Sequence, residues 1–408
     1  MKVVEITNVD FSLRQFVLPL MRGIRARGHE VVGVSADGPL LADVRAEGFR
    51  VQPQPFVRRV SPLAHLRAFV ALVRFLRAER PDLVHAHTPI SGFLARLAAR
   101  AAGVPRVAYT CHGFIFNQVG SPLRRGAGLA MEWIAGRATD IFLNVSTADA
   151  EDARRMHVFA SPVVVGNGRD PAVFRPDPAA RARLRAGFGV PDDRPVVVAI
   201  SRLVRAKGYG ELLEAMKSLP GAELWVVGER LASDHDAGID EMFAACGLGG
   251  RLRRLGYRAD VAAVLAAADI FVLPSWFEAL PMVVIEAMLV GLPVVASDIP
   301  GPREQVVDGV TGLLVPVRDP AALAAAIGAL VADPARRAAM GAAGRTRSCG
   351  WWGSDWHRTT TPASRRCSRP VVSAPGCAGW AIARTWRRCW PRPISSCCRA
   401  GSRRCRWW

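Results

Sequence analysis

Short apolar runs recur along this chain, each followed by a turn signal and then an amphipathic helical pattern, and that alternation leaves few folds open. In the first part strands read at 2–6, 30–35, 83–87, 106–110 and 141–145. In the second they read at 196–200, 223–227, 252–255, 270–273 and 294–296. Strands that are apolar without alternation are buried on both faces, as in a parallel sheet covered by helices on each side. The expected class is therefore α/β, with two doubly wound, Rossmann-like units. A chain of 408 residues is long enough for two such cores. Residues 166–178, Gly-Asn-Gly-Arg-Asp-Pro-Ala-Val-Phe-Arg-Pro-Asp-Pro, are dense in turn formers and read as the linker. The division predicted is 1–165, 166–346 and a C-terminal tail, 347–408.

The stretch 275–288, Ser-Trp-Phe-Glu-Ala-Leu-Pro-Met-Val-Val-Ile-Glu-Ala-Met, carries the most chemistry. The run 270–273 reads as a buried strand that Pro274-Ser275 ends, and Pro281 stands where a first helical residue would. Met282, Ile285, Met288 and Leu289 form an apolar stripe, and Gly291-Leu292-Pro293 stops the helix. Glu278 then lies in the strand-to-helix loop, with Glu286 more than a turn inside the helix. The unpaired N–H groups of a helix start favour an anion, and carboxylates beside them suit hydroxyl-rich ligands. An arbitrary pair of glutamates is usually just solvated surface. Glu286, set among Val283, Val284, Ile285, Ala287 and Met288, fits that ordinary reading poorly.

Arg202 and Lys207 follow the strand at 196–200, and loops at the carboxyl ends of parallel strands form the ligand crevice of such sheets. On spacing alone they are better explained as solvated charges at a helix start. His112 follows another strand end. His85 and His87 alternate along one strand and face the same way, but no carboxylate or Cys lies at ligand spacing in the sequence, so no metal is expected and His87 reads as cleft wall. In the first loop, 8–14, Ser12 and Arg14 are candidates for contacts to an acceptor.

Glu278 to Glu286, followed by Gly291-Leu-Pro-Val-Val-Ala296, Gly301-Pro-Arg-Glu304 and Asp308-Gly-Val-Thr-Gly-Leu-Leu314, resembles the C-terminal half of family 4 glycosyltransferases, retaining enzymes of the GT-B fold. The resemblance covers residues 1 to about 345 and implies two domains facing across a cleft. It implies that Glu278 and His112 lie near a donor sugar, Glu286 at a ribose, and Arg202 and Lys207 on a diphosphate. Gly228 and Arg258 are implied near the diphosphate and the nucleobase, and the backbone at Ala279, Leu280 and Pro281 near the sugar. Relatives commonly have Gly where this chain has Ala279, and the extra methyl narrows the pocket. The first loop also lacks the Gly-Gly pair that many members carry. The family needs no metal for catalysis, so no cofactor is expected beyond a nucleotide-diphosphate sugar as co-substrate. The run 228–236, with Thr88-Pro89 and 112–114, is similar to bacterial transferases that build capsule, exopolysaccharide or undecaprenyl-diphosphate-linked glycans. The function implied is retaining transfer of a hexose or N-acetylhexosamine, from a donor taken as UDP-linked, to a lipid-linked or polysaccharide acceptor. A nucleotide-sugar epimerase or hydrolase on the same fold, or an inactive nucleotide-sugar-binding protein, would share the binding residues.

The net charge of +19 would suggest a nucleic-acid partner, but +12 of it lies in residues 347–408. That tail holds thirteen Arg and one acid, seven of nine Cys and eight of eleven Trp, with no Leu, Phe, Lys or Glu. It lacks a C-x2-C pair, so a metal or disulfide module is disfavoured. Its composition matches an out-of-frame extension of a GC-rich gene, or a disordered segment, and no nucleic-acid partner is expected. The first residues read as a strand rather than a secretory signal and no apolar run is long enough to span a bilayer, so a cytoplasmic protein is expected. Contact with the inner face of the membrane is the other expectation. Ser61-Pro62 caps a helix with Leu63, Leu66, Val70, Val73 and Leu76 on one stripe, Arg67, Arg74 and Arg77 elsewhere, and Arg58-Arg59 before it.

Overall fold

A computed structural model describes residues 1–57, 61–230 and 238–352. The chain builds two all-parallel sheets in succession. The first contains β1 (Lys2–Ile6), β2 (Glu30–Ser35), β3 (Arg50–Pro53), β4 (Leu83–His87), β5 (Arg106–Cys111), β6 (Ile141–Asn144) and β7 (Val163–Val164), in the order β3-β2-β1-β4-β5-β6-β7. The second contains β8 (Val196–Ile200), β9 (Glu223–Val227), β10 (Leu252–Gly256), β11 (Ile270–Leu273), β12 (Val294–Ser297) and β13 (Gly312–Val315), in the order β10-β9-β8-β11-β12-β13. Helices cover both faces of each, and apolar side chains from strands and helices are buried on either side. In each sheet the strand order reverses once, between β1 and β4 and between β8 and β11. Crevices at the carboxyl ends of strands open at such switch points.

The apolar runs locate ten of these strands to within a residue at their ends. Three were not legible. β3 alternates exposed and half-buried residues at a sheet edge, β7 has two residues, and β13 opens on a glycine. Gly312 is required there, since a Cβ would fall 2.1 Å from the Val294 carbonyl oxygen. Between β7 and the helix Pro178–Phe188, the segment read as a linker carries no strand or helix.

Other expectations need correction. The first loop is shorter than the sequence suggests. Helical structure begins at Asp10 and runs on through a π-helical turn, Leu13–Val17, to Arg25, so Ser12 and Arg14 lie within it. Asp10 holds the start, accepting from its neighbour Phe11 N and from Leu40 N. Pro281 is not the first helical residue but the cap before the helix Met282–Val290, with extended backbone angles. That helix has no single apolar stripe, because Val284 to Val290 are all buried, Glu286 among them.

The proposed break at 346 falls inside the helix Pro334–Trp352. Arg347 donates to the carbonyls of Gln305 and Glu304, and Ser348 is buried, so the foreign composition begins with residues that satisfy the helix's surroundings. The rest of the tail, 353–408, lies outside the described residues, as do Arg58-Arg59 and 231–236 of the run 228–236.

The basic helix Pro62–Glu79 buries Ala68, Leu72 and Leu76, so its apolar stripe is split. Leu63, Leu66 and Val70 are exposed, and Ser61 caps by position without a side-chain bond. No described helix is long and apolar enough to cross a membrane.

Candidate active site

Site residues gather where the loop after β5 of the first sheet meets the loops after β8 and β11 of the second. On the second sheet, β8 delivers the chain to the turn Arg205–Lys207, and Gly208 follows at φ +73°. A Cβ on Gly208 would lie 2.0 Å from the Pro274 carbonyl oxygen, so only glycine lets this turn press against the end of β11. The backbone bond from Trp276 N to Ala206 O completes the contact. Lys207 Nζ thereby reaches Glu278 Oε1 at 2.6 Å, and Ser275 Oγ donates to the same oxygen at 2.8 Å. Both partners are mostly buried. Glu278 Oε2 has no protein partner among the described residues. Arg202 stands exposed just past β8.

The loop 278–281 is tied back on one side. Asn167 Nδ2 donates to Leu280 O and Gln305 Nε2 to Pro281 O. Because a peptide is planar and trans, the Met282 N–H is turned away from Gln305. Gly301 completes the packing, since a Cβ there would sit 2.4 Å from Ala279 O. Glu286 is 6% exposed, and its Oε1 accepts from Arg169 Nε at 2.5 Å. Burial raises the Glu286 carboxyl's pKa, with Arg169 opposing. Arg169 also donates to Gln15 O at 2.9 Å, joining the linker, the first unit and the second at one guanidinium. Glu304 makes a similar crossing, its carboxylate accepting from Thr147 N and Ala148 N at the start of the helix Thr147–Arg155.

Gly228, at φ +130°, would place a Cβ 1.9 Å from Ser201 O, so its neighbours leave room for no side chain. It lines a concavity with Leu203, Glu229, Arg230, Arg254 and Gly256 that does not include Glu278 or Glu286. Arg258 is paired at two points with Asp260. Arg14 is likewise engaged, by Asp43 at 2.5 Å, and Ser12 lies two residues earlier, half-buried.

From the first sheet, His112 follows β5 and faces the second unit. A Cβ on its neighbour Gly113 would come within 2.9 Å of the Ala279 methyl, so the loops after β5 and β11 touch. His87 is not on the cleft wall. It is 4% exposed and sits behind His112, with His87 Nδ1 and His112 Nε2 3.2 Å apart. The missing carboxylate is Glu5, which the β1–β4 register places opposite His85. Its oxygens lie 3.2 Å from His85 Nδ1 and 2.8 Å from His87 Nε2, and Thr110 Oγ1 is 2.8 Å from His85 Nε2. The ligand atoms of Glu5, His85 and His87 lie within 4.8 Å of one another, but they are joined by these hydrogen bonds. Glu5 was detectable as a lone charge inside an apolar strand, and Arg169 only as one turn-segment residue among many.

This buried set makes the fold sensitive to acid. Burial alone would raise the Glu5 carboxyl, but the charge and hydrogen bonds of His85 and His87 outweigh it and bring it to about 2. Burial lowers His87 to about 4, His85 adding and Glu5 opposing. Burial and then the neighbouring histidines lower His112 to about 3, although the ring is open to the cleft, so water tempers that value while its direction holds. Each folded value is below the unfolded one, so each contribution is complete above the unfolded pKa and is lost as pH falls through the folded one. The melting temperature is expected to fall as pH drops from 6.5 to about 4 as His87 charges, and further below 4.5 as Glu5 protonates. A flat profile from neutrality to pH 4.5 would contradict the buried set.

Residues 180–347 match the family model described as "Glycosyl transferases group 1", and residues 13–168 match "Glycosyl transferase 4-like domain". The chain is 32% identical, over 83% of its length and 88% of the relative's, to a D-inositol 3-phosphate glycosyltransferase of Xylanimonas cellulosilytica. It is 30% identical, over 64% of its length and 69% of the relative's, to the UDP-Gal:alpha-D-GlcNAc-diphosphoundecaprenol alpha-1,3-galactosyltransferase of Escherichia coli. Among solved structures, Anabaena Alr3699/HepE in complex with UDP and glucose superposes with a TM-score of 0.76 at 23% identity, over 86% of this chain and 95% of that one. That likeness shows the two-sheet fold.

Proposed function

The chain belongs to the family 4 glycosyltransferases of the GT-B fold, and on that premise we propose that it transfers a hexose or N-acetylhexosamine from a UDP-linked sugar, with retention, to a lipid-linked or polysaccharide acceptor. The observation that carries this reading is the meeting of loops from the two sheets, the one after β5 with those after β8 and β11. The Lys207–Glu278 pair comes from one sheet and His112 from the other, and Gly113 packs on Ala279 between them. In retaining transfer without a covalent intermediate, the acceptor hydroxyl attacks from the face the diphosphate leaves. The protein then has to position two substrates and stabilise developing charge. Lys207 uses one of its three N–H bonds on Glu278, and the others can meet phosphate oxygens, with Arg202 supplying a second cation. Glu278 Oε2 and His112 suit the sugar, Glu286 Oε2 the ribose and Gly228 a closely approaching phosphate, with Arg258 toward the base. No metal has a part in this scheme.

A thermal-shift series with nucleotide sugars on the full chain tests the donor, and product analysis with and without acceptor tests the reaction. UDP-sugars are expected to raise the melting temperature more than GDP-sugars do, with glycoside formed only when acceptor is present. Free sugar or an isomerised donor without acceptor would instead identify a hydrolase or an epimerase.

A lipid-linked acceptor would be met at a membrane face, and the exposed Leu63, Leu66 and Val70, beside Arg67 and Arg74, suit an anionic surface. The protein is expected to float with anionic but not neutral vesicles at low salt, and Leu63→Gln with Leu66→Gln to abolish this. Absence of flotation at low salt would remove the membrane contact.

A further inference from the structure

Of the side chains running from Glu5 through His87 to His112, the transfer scheme above uses only His112. This chain begins at a fully buried carboxylate on β1 and ends at a ring open to the cleft. Donor counting along it leaves one arrangement. An ionised carboxylate only accepts, so the His87 nitrogen 2.8 Å from Glu5 carries a proton. A neutral imidazole has one N–H, so the other His87 nitrogen is bare and accepts. Its partner at 3.2 Å is a nitrogen of His112, which must therefore be the protonated one. The remaining His112 nitrogen is then bare. Turning either ring over would put a carbon where a nitrogen now makes the contact, so the two hydrogen bonds fix the ring orientations as well as the proton pattern.

We propose that Glu5 and His87 are positioning residues that set the proton pattern of His112, so that His112 presents a bare Nδ1 to the cleft and recognises a hydroxyl by accepting its hydrogen bond. His85 supports the same carboxylate, its Nδ1 donating to Glu5 Oε1, with Thr110 Oγ1 at its other nitrogen. Among the described residues, His85 and Thr110 from neighbouring strands face the chain, and the depressed pKa values of His87 and His112 keep both rings neutral at neutral pH. Without Glu5, His87 could point a proton at His112, and His112 would then offer the cleft a donor. The identification of the hydroxyl as the donor sugar's rests on the proposed transfer reaction. The proton pattern does not.

The test is proton-detected 15N spectroscopy of the histidine rings in the full-length, ligand-free protein at neutral pH, with kinetics alongside. His112 is expected as a single tautomer, Nε2 protonated and Nδ1 bare. His87→Leu should leave His112 exchanging between tautomers and lower kcat about tenfold, the loss of one hydrogen bond's worth of ordering. His87→Asn, whose Oδ1 can accept where Nδ1 did, should restore the single tautomer and most of the rate. A His112 found with Nδ1 protonated would overturn the proposal, as would Leu and Asn variants that cannot be told apart by spectrum and rate. If the protein turns over no donor, the spectra still decide the proton pattern, so the two readings fail separately. Where turnover is seen, replacing the contacted hydroxyl by fluorine, which cannot donate, should cost as much as removing it, and a retained rate would count against an accepting Nδ1.

Discussion

Replacing Lys207 with Met is expected to lower kcat by about 100- to 1,000-fold, with a much smaller rise in the donor KM. Negative charge grows on the diphosphate as the sugar departs, so a cation fixed beside it is worth more in the transition state than in the bound donor. Lys207 is fixed. Its turn is pressed against Pro274 at Gly208, and its ammonium is held 2.6 Å from Glu278. The substitution also leaves Glu278 with Ser275 alone on Oε1, which should lower the melting temperature modestly. Lys207→Arg is expected to recover little, because a planar fork does not fit a point contact shared by a carboxylate and a phosphate. Steady-state kinetics with saturating acceptor provides the check. An unchanged kcat with a raised KM would mean that Lys207 binds the donor and does not assist its departure.

Glu286→Leu is expected to have the largest effect on stability, about 3 kcal/mol in urea denaturation. The pair is well shielded, with the side chains of Arg169 16% and of Glu286 8% exposed, and removing the acid leaves a cation there without a counter-charge. Burial raises the Glu286 pKa in spite of Arg169, so the carboxylate recovers less from its partner than it lost in leaving water. The double variant Glu286→Leu with Arg169→Met should then return most of the stability. Nucleotide affinity should stay low in both, since neither retains a carboxylate for the ribose. Calorimetry with UDP separates these effects. Full affinity in the double variant would free Glu286 of any part in binding.

Much of the fold was legible because of how parallel sheets are covered. A strand buried on both faces is largely apolar, and β8, β11 and β12 are so along nearly their whole length. β3 and β7 are edge or near-edge pieces with half-buried residues, and their sequences carry no such mark. In the helix Met282–Val290 periodicity failed for a related reason: with all sides covered there is no polar face to set the period. The first loop misread shows a third limit, since Asp10 starts a helix there only with Leu40, thirty residues on, as partner.

The candidate site divides in the same way. Placement of Glu278, Arg202, Lys207 and His112 just after strand ends was readable, because it depends on neighbours a few residues away. Their pairing was not. Lys207 meets Glu278 across 71 residues, Arg169 meets Glu286 across 117 and His87 meets Glu5 across 82. By itself the sequence determined the family, the two-sheet α/β class and which loops carry chemistry, since local burial and turn preferences are written in local residue order. Only the tertiary structure decided which charges compensate one another, that His87 stands behind His112 rather than beside a substrate, and that Arg169 joins both units at Glu286. Sheet register brings side chains together from strands distant in the chain, and no spacing rule in one dimension records that distance.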